Sequence, residues 1–179
     1  RCMQEIFIPT IAAMNAEGRT FKGCLYFGLM LTAHGPKVIE YNCRFGDPET
    51  QVVLPLLKSD LLTVMQATTK GTLADTPVEF SEDSACCVVL ASHGYPVKYE
   101  KGFEITIGER ALKTTYVAGA KLKDGKLYTD GGRVMGVTAT GKNLKEAVKK
   151  AYELCDEVEF ENKYYRHDIG GRALKALED

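Results

Sequence analysis

Ile6, Ile8, Ile11 and Met14 recur at near-helical spacing at the start of the chain, so one face of that stretch is apolar. Pro9 fits only within a first turn and Gly18 stands where a helix C-cap belongs, which predicts a short helix running to Ala16. Residues 21–32 turn apolar and aromatic, His34-Gly35-Pro36 interrupts them, and residues 37–43 alternate with period two. That pattern is a β-hairpin. The stretch Arg44-Phe45-Gly46-Asp47-Pro48-Glu49 follows no period, and residues 50–57 and 60–70 then read as helices. Pro55 weakens the first of these, while Ser59 or Asp60 can cap the second and Gly71 can stop it.

Residues 72–84 are small, polar or acidic around Pro77 and read as a connection, which divides the chain into units 1–75 and 76–179. The second unit opens with a continuous apolar run, 85–91, suited to a buried strand. Further strands are expected at 103–107, 115–123, 126–129 and 133–140, with Asp124-Gly125 supplying the positive φ angles of a tight hairpin. In residues 143–157, Leu144, Ala147, Val148, Ala151, Leu154 and Cys155 form one stripe, so that helix should pack on the sheet. A short helix over 171–178 ends the chain. The expected fold class is α+β: an antiparallel hairpin with helices, then a small mixed or antiparallel sheet domain with packed helices.

Composition narrows the function more than the fold. The 179 residues are 45% hydrophobic and 26% charged, ordinary for a globular protein. No stretch approaches the ~20 apolar residues of a membrane span. A net charge of -1 offers no broad field for a nucleic-acid backbone. The six cysteines contain no Cys-x-x-Cys pair, which suits reduced thiols in a cytoplasmic protein better than a zinc site or a disulfide framework. The first residues, from Arg1, read as the middle of a structured element, so the chain is expected to be cut from something longer.

The chemistry concentrates after the hairpin turn. Alternate side chains of an extended strand face the same way, so Val38, Glu40 and Asn42 should share one face and Ile39, Tyr41 and Cys43 the other. A carboxylate and a carboxamide oxygen about 7 Å apart along a strand can both reach a hard divalent cation that takes its other ligands from phosphate and water. Arg44 would join that face if the strand persists. The competing reading makes Glu40 and Asn42 the wet face of a half-buried hairpin. Against it stands the Gly46-Asp47-Pro48-Glu49 loop, whose free backbone, fixed φ and two acids suit presenting oxygens, although a surface turn could carry them as well.

The runs Phe21-Lys22-Gly23, Leu25-Tyr26, Gly28-Leu29-Met30 and Val38-Ile39-Glu40-Tyr41-Asn42-Cys43-Arg44-Phe45-Gly46-Asp47-Pro48-Glu49-Thr50-Gln51 resemble the distal part of the ATP-grasp core of the phosphoribosylamine-glycine ligase family. The resemblance continues through Gly94-Tyr95-Pro96, Asp130-Gly131-Gly132-Arg133-Val134 and Tyr164-Tyr165-Arg166-His167-Asp168-Ile169-Gly170. It implies the C-terminal part of an ATP-grasp domain over 1–75 and a C-terminal cap domain over 76–179. It also implies an enzyme that joins glycine to 5-phosphoribosylamine through glycyl phosphate, with ATP as substrate.

The same resemblance implies Glu40 and Asn42 as ligands of Mg²⁺ or Mn²⁺, and Arg44 as the group that stabilises charge on the transferring phosphoryl. Gly46, Asp47 and Glu49 would meet substrate, and Asp130, Gly131, Gly132 and Arg133 would close over the site. Arg44 as a salt-bridge partner, and the Asp-Gly-Gly-Arg stretch as a plain tight turn, stay open. Many ATP-grasp enzymes carry a second carboxylate where Gly28 stands, twelve residues before Glu40; the glycine either belongs to a site with fewer protein ligands or relieves crowding on the strand. Val97 and the run Val117-Ala118-Gly119-Ala120 depart from the family pattern, which removes two polar side chains.

No glycine-rich loop precedes the first helix, so the N-terminal substrate domain and the lobe that grips ATP are expected outside this chain, which alone should not turn over. A noncatalytic binding or assembly module, or another ATP-grasp carboxylate-amine ligase, are the competing readings.

Overall fold

The computed structural model describes residues 1–178. They form two compact units, one from Arg1–Asp47 with Leu57–Glu79, the other from Pro48–Leu56 with the chain from Phe80 onward.

In the first unit a π-helical turn over Met3–Phe7, closed by the Ile8 N–H on the Met3 carbonyl, runs directly into helix α1, Ile8–Ala16. Pro9 falls in the first turn of α1, where its missing N–H costs least, but the helical path begins earlier than the apolar spacing indicates. Strands β1 (Tyr26–Thr32) and β2 (Gly35–Asn42) pair antiparallel as the predicted hairpin. Helix α2 (Thr50–Val53) is a single turn continued by a 3-10 turn at Leu54–Leu56, as Pro55 requires, and it belongs to the second unit.

Helix α3 (Leu61–Lys70) starts where Asp60 Oδ1 accepts the Thr63 N–H at 2.7 Å and stops at Gly71, whose φ of 78° a side chain would resist. Buried hydrophobic residues of this unit are few: among the described residues only Ile6 and Ala67 qualify.

The second unit holds the main core. Strand β3 (Ser84–Ser92) pairs antiparallel with β8 (Arg133–Gly141), flanked by β10 (Lys163–Tyr164) and β5 (Thr115–Val117). A second sheet runs β6 (Ala120–Lys123), β7 (Lys126–Thr129), β4 (Glu104–Ile107) and β9 (Val158–Glu159), and a short helix α4 (Glu109–Leu112) follows β4.

Helix α5 (Leu144–Cys155) is capped by Asn143 and turns Ala147, Val148, Ala151 and Cys155 onto the β3–β8 pair. Val88, Leu90, Val137, Ile105, Val158 and the α5 stripe form one cluster, so side chains from both sheets share a core. Helix α6 (Gly171–Ala176) ends the described chain.

The expected single strand over 115–123 is two strands in different sheets. The break falls at Ala118-Gly119, where Gly119 passes so close to Gly131 that a methyl on Gly119 would sit 2.7 Å from the Gly131 Cα.

Candidate metal site

Glu40 and Asn42 lie near the end of β2 with their side chains on one side, since the Asn42 amide nitrogen donates to Glu40 Oε1 at 3.1 Å. Glu40 is exposed and Asn42 half-buried, so both are open to a ligand. Alternation explains that pair, but it fails for Val38. Phe27 pairs with Tyr41, Gly28 with Glu40 and Leu29 with Val38, so Ile39 is an extra residue on β2, a β-bulge. Phe27 and Leu29 share a face of β1, hence Tyr41 and Val38 share one as well. Val38 therefore lies away from Glu40, opposite to the expectation.

The face carrying Phe27, Tyr41 and Val38 looks toward α1. The Phe7 ring packs tilted against Phe27 with centroids 4.5 Å apart, and Ile6, Met14, Phe21, Val38 and Tyr41 line an apolar groove of about 620 Å³. The Glu40 face of the hairpin is the other one. Groove and polar pair thus occupy opposite faces of one two-stranded sheet, and the groove is a packing feature rather than the ion site.

Strand β2 stops at Asn42, so alternation no longer governs Arg44. Its guanidinium is exposed and donates to the Phe45 carbonyl at 3.0 Å. Gly46 is buried and Asp47 exposed; the boundary between the units then falls at Asp47-Pro48, so half-buried Glu49 belongs to the second unit.

Asp130, Gly131 and Gly132 connect β7 to β8, and Arg133 opens β8. Asp130 Oδ1 faces the Lys121 ammonium at 3.3 Å. This connection is pinned from the end of β3: wholly buried Ser92 donates its hydroxyl to the Gly131 carbonyl at 3.0 Å and its N–H to the Gly132 carbonyl at 2.8 Å. The Tyr95 ring lies against Gly132 so closely that a methyl there would fall within it. Ser92 and Tyr95 escape a reading of sequence alone, although a serine closing an apolar strand run, two residues before a glycine, is a signal for a buried hydroxyl with a structural task.

A divalent cation fits the Glu40–Asn42 pair on donor chemistry: a carboxylate and a carboxamide offer hard oxygens, and the amide can turn its oxygen toward the carboxylate. Among the described residues no three His, Cys, Asp or Glu side chains come together as a metal cluster, so a cation held here would take most of its ligands from phosphate and water.

Two family models match the chain in succession: phosphoribosylglycinamide synthetase, ATP-grasp (A) domain, over residues 1–50, and phosphoribosylglycinamide synthetase, C domain, over residues 85–172. The chain is 51% identical over 176 residues to a phosphoribosylamine–glycine ligase of Agrobacterium fabrum, a match covering 97% of the chain and 42% of that protein. A 48% match over 173 residues to the human trifunctional purine biosynthetic protein adenosine-3 covers 94% of the chain and 17% of that protein. The crystal structure of phosphoribosylamine–glycine ligase from Thermotoga maritima superposes with a TM-score of 0.83 at 44% identity, over 93% of the chain and 42% of that structure. The chain spans about two fifths of the length of the single-function relatives it matches.

Proposed function

The chain belongs to the phosphoribosylglycinamide synthetase family, and on that premise we propose that it supplies the metal-binding strand and the C-terminal domain of a cytoplasmic ligase joining glycine to 5-phosphoribosylamine in purine synthesis. Residues 1–75 then belong to the ATP-grasp domain and residues 76–179 to the cap domain. The matched ranges support that division, and one boundary between the compact units falls at Glu79, while Pro48–Leu56 goes with the second unit.

The reading is carried by the shared direction of Glu40 and Asn42, 3.1 Å apart at the end of a strand with their polar atoms accessible. These two side chains would hold Mg²⁺ or Mn²⁺, which would supply positive charge against that of the ATP phosphates. A glycine carboxylate oxygen attacks the γ-phosphorus and ADP leaves; the sugar amine then attacks the acyl carbon, and phosphate and the amine's proton are released.

Arg44 places a permanent positive charge near the transferring group, where charge stabilisation counts most. Gly46 lets the backbone approach the ligand and Asp47 accepts from sugar hydroxyls or the glycine ammonium; Glu49 and the turn of Asp130, Gly131, Gly132 and Arg133 are further candidates for contact with substrate. With about two fifths of the relatives' length, the chain alone has no turnover.

In a full-length ligase carrying this sequence, Glu40→Ala is expected to lower glycine- and phosphoribosylamine-dependent ATP turnover by orders of magnitude. Stability should move by only ~0.5 kcal/mol, as for an exposed surface position. Steady-state kinetics beside thermal unfolding measure both. Undiminished turnover in that variant would remove the proposal.

A further inference from the structure

Glu40 lies across an empty place in the facing strand. Position 28 is its direct partner in the hairpin, and a methyl carbon built on Gly28 would sit 2.7 Å from Glu40 Cγ and 3.5 Å from its Oε1. Nonbonded carbons approach to about 3.5 Å, so any side chain at position 28 would drive Glu40 out of the position it holds. Gly28 does not take a positive φ, so its backbone conformation alone does not call for glycine. The three nearest atoms such a methyl would meet all belong to Glu40.

Two further constraints act on the same side chain. The Asn42 amide nitrogen holds Oε1 from along the strand, and the bulge at Ile39 changes the direction of the backbone immediately before Glu40. An exposed glutamate normally samples many rotamers, and fixing one costs entropy that a weakly liganded cation would otherwise have to offset.

Resting on the metal-site reading above, we infer that Gly28 is a positioning residue for Glu40: its missing side chain is the slot that presets the carboxylate. An acid placed at position 28 therefore displaces a ligand instead of adding one.

The test is direct Mn²⁺ binding, read by electron paramagnetic resonance on a full-length ligase carrying this sequence, with thermal unfolding alongside. Gly28→Ala is expected to weaken Mn²⁺ binding roughly 10- to 100-fold, the range for losing an orienting neighbour of a metal ligand. Gly28→Asp should weaken it as well despite the added charge. In a Glu40→Ala background, Gly28→Ala should leave the melting temperature where Glu40→Ala alone sets it, because the atoms it would strike are gone.

Unchanged Mn²⁺ affinity in Gly28→Ala, tighter binding in Gly28→Asp, or a further loss of stability in the double variant each overturns the inference. Wild-type Mn²⁺ binding by Glu40→Ala would instead sink the metal-site reading itself, and the role of Gly28 with it.

Discussion

At the scale of single residues, the difference between an ordinary wet strand face and an ion site rests on where a few atoms point. Period-two alternation places Glu40 with Asn42, and the 3.1 Å contact between them agrees with it. The same rule misplaces Val38 because one extra residue, Ile39, enters the strand, and nothing in its identity announces a bulge. Gly28 is legible as a relief of crowding on the strand but not as the direct partner of Glu40, since the register that sets the two opposite depends on that bulge.

Cysteine was easier to read, because burial follows the apolar runs. Cys86 and Cys155 are buried, and desolvation pushes their thiols up to about 11 and about 12. Cys43 is exposed. Since the thiolate is the reactive form, iodoacetamide at pH 8 is expected to label Cys43 in the native protein and to leave Cys86 and Cys155 unmodified until denaturant is added. Peptide mass spectrometry before and after unfolding checks this, and early labelling of Cys155 would contradict its burial.

At the scale of elements, helices with strong punctuation were the most legible. Asp60 and Gly71 bracket α3, and Asn143 opens α5, because caps are local chemistry written within four residues. The stretch 115–123 was not legible as two strands, since its break depends on Gly119 meeting Gly131, twelve positions away along the chain. Strands β9 and β10, of two residues each, are too short to show any period.

The cap of α3 also has a pH signature. The backbone N–H of Thr63, seconded by its hydroxyl, holds the Asp60 carboxyl below the usual carboxylate range. A folded-state value below the unfolded one means the capping contribution is complete above the unfolded value, about 3.9, and is lost as pH falls through the lower folded value. Amide exchange at Thr63 should therefore gain an acid-dependent opening that Asp60→Asn, which keeps an accepting oxygen without a titrating group, removes. An acid response identical in both proteins would show that the cap does not titrate.

At the scale of the whole molecule, burial is divided unevenly. The packed cluster of Val88, Leu90, Val137, Ala151 and Val158 belongs to the second unit, whereas the first unit keeps Leu31 80% exposed and Ile39 62% exposed on a hairpin of only two strands. Hydrophobic burial is the main favourable term in folding, and an isolated two-stranded hairpin is marginal in water.

Hydrogen exchange on this chain should accordingly find the slowest amides in β3, β8 and α5, exchanging through global unfolding, and the fastest ladder amides in β1 and β2, exchanging through local opening at much lower free energy. Mild denaturant should accelerate the first set and leave the second nearly unchanged, because only global opening exposes the large buried surface that denaturant acts on. Equal protection and equal denaturant dependence across both units would mean that the first unit draws stability from contacts other than its own apolar burial.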